Sequence, residues 1–195
     1  MAFTHDLETP TRTTIRPASQ EERVILVDRD DNPLSDAEKL SAHRGNLLHR
    51  AFSILLFNEA GLMLLQRRSL AKYHSPGLWT NACCGHPRPN ERTATAASRR
   101  LREELGIGCA LTYRATFHYQ ADLGDAMFEN EIVHVFAGTY GGIFRPNAEE
   151  VAEIAWHHPS DIRRSVRTEG ERYTAWFRKY VEQPWFDALD AAPQR

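Results

Sequence analysis

Residues 99–104 read RRLREE, and spacings of three and four bring Arg100, Glu103 and Glu104 to one side of a 3.6-residue turn. One guanidinium and two carboxylates on a helix face can meet a metal-bound diphosphate, the cation gripping phosphate oxygens and the carboxylates holding a divalent ion. A solvated Arg/Glu helix is the ordinary outcome of such a run. Here Gly85 and Glu91 stand upstream at spacings that a merely solvated helix does not need. Further on, FENEIVHVF should be extended, with Glu129 and Glu131 on one face, opposite Asn130, Ile132 and His134. Two neighbouring carboxylates repel unless a cation or a shared proton relieves them. His43, His49 and His86 could complete a metal site, although histidines scattered over three segments are more often structural. Three imidazoles with two carboxylates suit Mn2+, Mg2+ or Zn2+.

The elements between these groups must bring them together. RVILVD, residues 23–28, alternates like a strand, Asp30-Asp31-Asn32 turns the chain, and Ser35 should cap a short helix running towards His43. AFSILLFN and LMLLQRR read as two strands of a hairpin joined by Glu59-Ala60-Gly61. A polar loop from Ser69 to Leu78 leads into a short extended stretch, Trp79 to Cys84, ending at Gly85. A helix starting near Thr93 should bury Ala94, Ala97 and Leu101 and stop at Gly106. Strands are expected at 110–119, 130–139 and around 152–157, then a short helix after Pro159 and an amphipathic one over about 170–182. Mixed strands with helices on either side predict an α/β (α+β) sandwich.

The 195 residues, 42% of them hydrophobic, suit one domain over 21–185, between an N-terminal tail (1–20) and a C-terminal tail (186–195). A formal charge of -2, with no Lys/Arg run, gives no general attraction to nucleic acid or to an anionic membrane, so an anionic ligand needs a local cluster. No apolar run approaches a spanning helix, and the first twenty residues lack the apolar core of a secretion signal; a cytoplasmic protein, monomeric from its size, is expected. Three cysteines, two of them adjacent (Cys83 and Cys84), make no disulfide framework and read as reduced thiols.

From Gly85 the segment GHPRPNERTATAASRRLREELGI follows the Nudix pattern at Gly85, Glu91, Arg99, Leu101, Glu103, Glu104, Gly106 and Ile107. It departs at Arg100, a cation where the pattern has a metal-binding glutamate; an arginine there should grip a diphosphate without helping to break it. Together with TNACCGHP, FENE and YTAWF, in that order within residues 24–180, the chain resembles type I isopentenyl diphosphate isomerase, the Nudix-fold enzyme that interconverts isopentenyl and dimethylallyl diphosphate.

The resemblance implies a mixed-sheet α/β/α sandwich and a set of roles. Cys84 matches the catalytic thiol, Glu131 the catalytic carboxylate that also touches the metal, and Tyr119 a tyrosine beside that carboxylate. His43, His49, His86, Glu129 and Glu131 match the metal ligands, and Glu104 matches a residue holding a second ion, Mg2+, against the diphosphate. Lys39, Arg68, Lys72 and Arg100 match the basic residues around the diphosphate, and Trp176 an aromatic over the hydrocarbon. Taken alone, Trp176 with Phe177 and Tyr180 would read as core packing. The interval from His43 to His49 is one residue shorter than in the best-known bacterial relative, so the fold has to decide that ligand. The rival readings are a Nudix hydrolase of a nucleotide or other diphosphate, and a non-catalytic diphosphate-binding module. Neither gives a reason for a thiol, a carboxylate pair and three histidines.

Overall fold

The computed structural model describes residues 22–187, so the tail expected at 1–20, and residues 188–195 of the one expected at 186–195, fall outside the described residues. Its centre is β3 (His49–Phe57), which runs parallel to β8 (Met127–Thr139) over nine register pairs, from His49 opposite Glu131 to Phe57 opposite Thr139. β8 also pairs antiparallel with β7 (Thr112–Gly124). β3 also pairs at its start with β1 (Arg23–Val27) and at its middle with β6 (Cys83–Gly85), while β4 (Met63–Arg68) pairs with β5 (Trp79–Asn81) and β9 (Val151–His157).

Strand alternation explains the layering. In β3, Ala51 and Leu55 face one way and Phe52, Ile54 and Leu56 the other, and both sets are buried. The second set packs under α2 (Thr93–Leu105) through Ala96, Ala97, Leu101 and Leu105; the first packs under α3 (Pro159–Thr168) and α4 (Ala175–Val181) through Ile162, Trp176, Phe177 and Tyr180. The fold is therefore the expected mixed-sheet α/β sandwich.

Several local expectations change. Ser35 caps no helix: Pro33–Glu38 is a strand (β2) laddered against β1, and α1 (Lys39–Arg44) starts after Glu38, whose carboxylate accepts from the N–H groups of Leu40 at 2.8 Å and Ser41 at 2.7 Å. Strand pairing there outweighs the capping preference of a serine. The hairpin at Glu59-Ala60-Gly61 exists only at its base, Phe57 opposite Met63, because β3 and β4 then diverge to pair with β8 and β9. Ala94 is exposed and Ala96 takes its place in the core. Strands β7 and β8 run on to a tight turn at Asp125-Ala126, both with positive φ. The helix expected over 170–182 is interrupted: Thr174 donates its N–H to Trp79 O at 3.0 Å and caps α4, leaving a separate 3-10 turn at Gly170–Arg172. Phe186, in α5 (Pro184–Asp187), is fully buried against the same core, so packing extends one residue past 185.

Gly106 ends α2 with φ 67°, and a Cβ there would sit 2.6 Å from Arg145 O. A left-handed alanine costs roughly 1–2 kcal/mol before any clash, and overpacking adds about 1–3 kcal/mol. Gly106→Ala should therefore lower unfolding stability by more than about 2 kcal/mol, read as a lower urea midpoint. A shift below about 0.5 kcal/mol would contradict the geometry.

Candidate active site and metal centre

Strand register builds the site. Glu131 in β8 lies directly between His49 of β3 and Tyr119 of β7, and β6 lays Cys84 opposite Ser53, with Gly85 and His86 following. Helix α1 contributes His43 from above. His43, His49, His86 and Glu131 each offer one ligand atom within 4.8 Å of the others, and three of the four are buried.

The outer ring nitrogens are already committed: Nδ1 of His43 lies 2.7 Å from Lys39 O and Nδ1 of His49 lies 2.8 Å from Leu47 O. A carbonyl only accepts, so both Nδ1 atoms carry hydrogen and both Nε2 lone pairs face inward. His49 Nε2 and His86 Nε2 are 3.2 Å apart, and His86 Nε2 is 2.9 Å from Glu131 Oε1. Lone pairs this close to each other and to a carboxylate call for a shared cation. A proton suits poorly, because burial pushes the His86 pKa down to about 3, and burial lowers His43 as well. The donor set fits a divalent ion, and the shorter interval has not kept His49 out of it.

Glu129, expected as a further ligand, stands outside this 4.8 Å group and one hydrogen bond away. Tyr119 Oη is 2.9 Å from Glu129 Oε2 and 2.7 Å from Glu131 Oε2. A phenol has one proton, so it can donate to only one of them. Burial opposes ionisation of Glu131, but the positive charge that the His49 and His86 group calls for beside it outweighs burial and holds this carboxyl well below its usual range. Burial, reinforced by the Glu131 charge, raises Glu129 well above its own. Protonated Glu129 thus donates to Tyr119, and Tyr119 donates to the Glu131 carboxylate.

Cys84 is held differently. Asn81 Nδ2 shares its two hydrogens among Ser53 Oγ (2.9 Å), Ile54 O (3.0 Å) and Cys83 O (2.9 Å), which fixes the amide and turns Asn81 Oδ1 towards Cys84 Sγ at 3.1 Å. That oxygen accepts a hydrogen bond from the thiol, and burial pushes the Cys84 pKa up to about 12. Cys83, its neighbour, is fully buried in the core under α2. Trp176 is held by the same network: its Nε1 donates to Thr80 Oγ1 at 2.9 Å, and Thr80 Oγ1 donates to Asn81 Oδ1 at 3.1 Å.

Lys39, Arg68, Lys72, Arg100, Glu104, Tyr119, Glu129, Glu131, Cys84 and Trp176 all line one cavity, together with His43 and His86; His49, fully buried, is not part of its lining. Most of the cations are paired. Lys39 Nζ is 2.7 Å from Glu22, Lys72 pairs with Glu150, and Arg100 lies 2.9 Å from Glu103, 2.5 Å from Glu104 and 3.3 Å from Glu150. Arg68 instead donates to the carbonyls of Ser75 and His74, both at 3.2 Å, and stacks 5.1 Å over Trp176. Glu22, Glu150 and His74 also line this cavity and were not anticipated, because none belongs to a motif; Tyr180, which helical spacing with Trp176 and Phe177 marks as core, lines it as well.

His74 packs edge-on to Trp176 with ring centroids 5.7 Å apart, and its Nδ1 has no partner. Burial and then the Arg68 charge push its pKa from 6.5 to about 3. Between those values the unfolded chain binds the extra proton, so this contribution to stability is present above pH 6.5 and is lost as pH falls towards the folded pKa. His74→Gln should flatten the fall of Tm from pH 6.5 down to about pH 4. Parallel Tm–pH curves for the two proteins would remove His74 as a source of acid sensitivity.

No described helix is long and apolar enough to cross a membrane. Residues 47–177 match the NUDIX domain. The chain is 45% identical over 169 residues to the isopentenyl-diphosphate Delta-isomerase of Burkholderia multivorans, covering 87% of this chain and 96% of that one. It is 44% identical over 155 residues to the enzyme of the same name from Streptomyces coelicolor, covering 78% of each. In fold it is similar to DR0079 from Deinococcus radiodurans, with a TM-score of 0.69 at 20% identity over 82% of this chain and 97% of that one. A MutT protein from Methanosarcina mazei follows with a TM-score of 0.59 at 24% identity, over 74% of this chain and 96% of that one. The family match and these sequence relatives show that the chain belongs to the isopentenyl-diphosphate Delta-isomerases of the NUDIX family.

Proposed function

We propose that this protein interconverts isopentenyl and dimethylallyl diphosphate, moving a carbon–carbon double bond by adding a proton at one end of the allylic system and removing one at the other. The observation that carries this reading is that a protonated thiol, Cys84, and an ionised carboxylate, Glu131, line the same cavity as Lys39, Arg68, Lys72 and Arg100. One group gives a proton and the other takes one, and the roles exchange with the direction of reaction. Tyr119 and protonated Glu129 form a relay that can return a proton to Glu131.

The intermediate carries tertiary carbocation character, and Trp176 supplies electron density that does not attack it. Such a contact is worth about 2 kcal/mol or more when desolvated. Its indole N–H is tied to Thr80, so the ring plane is set before the alkene enters. The diphosphate end is gripped by Arg68, Lys72, Arg100 and Lys39, which spends remote binding energy on alignment of the alkene. When bound, Mn2+, Mg2+ or Zn2+ at the His43, His49, His86 and Glu131 group, with Glu129 adjacent, orients Glu131 and offsets its charge, and Mg2+ at Glu104 neutralises part of the diphosphate.

Proton NMR of purified protein with isopentenyl diphosphate and Mg2+ in D2O tests the assignment. Deuterated dimethylallyl diphosphate is the expected product. Absence of isomerisation by folded, metal-loaded protein, with phosphate released from a nucleotide panel instead, would make the chain a hydrolase.

A further inference from the structure

The cavity carries an anion of its own. Glu150, just ahead of β9, pairs with Lys72 and lies 3.3 Å from Arg100. Both partners belong to the proposed grip on the diphosphate, so this carboxylate stands where phosphate oxygens have to arrive. Its backbone is fixed: the N–H donates to Asn147 O and the C=O accepts from Ser69, both at 2.9 Å. Burial works against its charge, yet Lys72 and Arg100 hold the carboxyl below its ordinary range.

The charge balance gives this pairing a consequence. Four Lys and Arg side chains and five carboxyl groups line the cavity, so its cations already face at least as many acidic groups. A diphosphate without a metal meets no net attraction from these side chains, and it meets a carboxylate already seated on two of its donors. A diphosphate arriving with a divalent cation changes the exchange. The cation offers Glu150 and neighbouring Glu104 a partner in place of Arg100, and the freed guanidinium and ammonium turn to phosphate oxygens.

We propose that Glu150 is a specificity-determining residue of the diphosphate seat: by occupying Lys72 and Arg100 it disfavours metal-free diphosphate and selects the complex with a divalent cation. This rests on the reading that the cavity takes a diphosphate. A purely supporting role for Glu150 predicts the opposite sign, because removing a strut that orients Lys72 and Arg100 would weaken anion binding.

The test is calorimetric binding of inorganic diphosphate to full-length, metal-loaded protein at low and at millimolar free Mg2+. It compares wild type with Glu150→Gln, Glu150→Ala and the control Glu153→Gln, whose partner Arg67 lies 3.2 Å away on an exposed face. At low Mg2+ both Glu150 variants should bind about tenfold more tightly than wild type, the gain of one unit of positive charge beside the ligand, and the gap should shrink as Mg2+ rises. The control should match wild type. Equal or weaker binding by folded Glu150→Gln at low Mg2+ overturns the inference. If wild type binds no diphosphate at either Mg2+ level, the function proposed above fails first.

Discussion

Replacing Glu131 by Gln should lower the isomerisation rate by about 10³-fold or more, and Cys84→Ala should do the same with the metal centre intact. The two losses have different causes. Cys84→Ala removes a proton that Asn81 and burial keep on sulfur, and the thiol is no part of the histidine group. Glu131→Gln removes a base, a candidate metal ligand and the acceptor of the Tyr119 hydrogen bond at once. Deuterium incorporation from D2O, followed by proton NMR, separates the two variants from wild type, and metal content separates them from each other. Cys84→Ala that keeps more than about a tenth of the activity would take the thiol out of the proton transfer.

His86→Ala should cost the protein its metal and the stability that comes with it. Ligand-linked stabilisation reaches about 2.7 kcal/mol at 100 times Kd, which in a chain of this size corresponds to roughly 5–10 °C in Tm. Wild type should show such a drop on chelation, reversed by Mn2+, Mg2+ or Zn2+. His86→Ala should show little, because His49 and Glu131 lose the neighbour that stands 3.2 Å and 2.9 Å from them. A variant that stays fully metallated by elemental analysis would exclude His86 as a ligand. Activity and metal occupancy should fall together across such a series.

Arg100 bears on the comparison with hydrolases. It is fixed by Glu103, Glu104 and Glu150, so the position that would bring a carboxylate to a metal instead carries a saturated guanidinium. A hydrolytic water would lack that ligand, whereas an isomerase needs no water at the diphosphate.

What the sequence determined by itself was the set of local patterns. The strand-like run AFSILLFN, the Gly106 stop and the RRLREEL helix follow from nearest-neighbour geometry, and they are present as read. Cys84 and His86 in TNACCGHP, the carboxylate pair in FENE and the box helix were legible for the same reason, each in a short, ordered motif, whereas His43 and His49 sit in none. Tertiary structure decided what depends on partners distant in the chain. Pro33–Glu38 became a strand because β1 offered it a ladder, and the helix expected from residue 170 broke where Thr174 bonded to Trp79. His49 joined His86 and Glu131 through a parallel register linking residues 82 positions apart, a distance no spacing rule spans. Glu22 and Glu150, each the second of two adjacent glutamates, belong to no motif. Only the fold brings them against Lys39, Lys72 and Arg100, because an ion pair depends on where two charges meet in space and not on how far apart they lie along the chain.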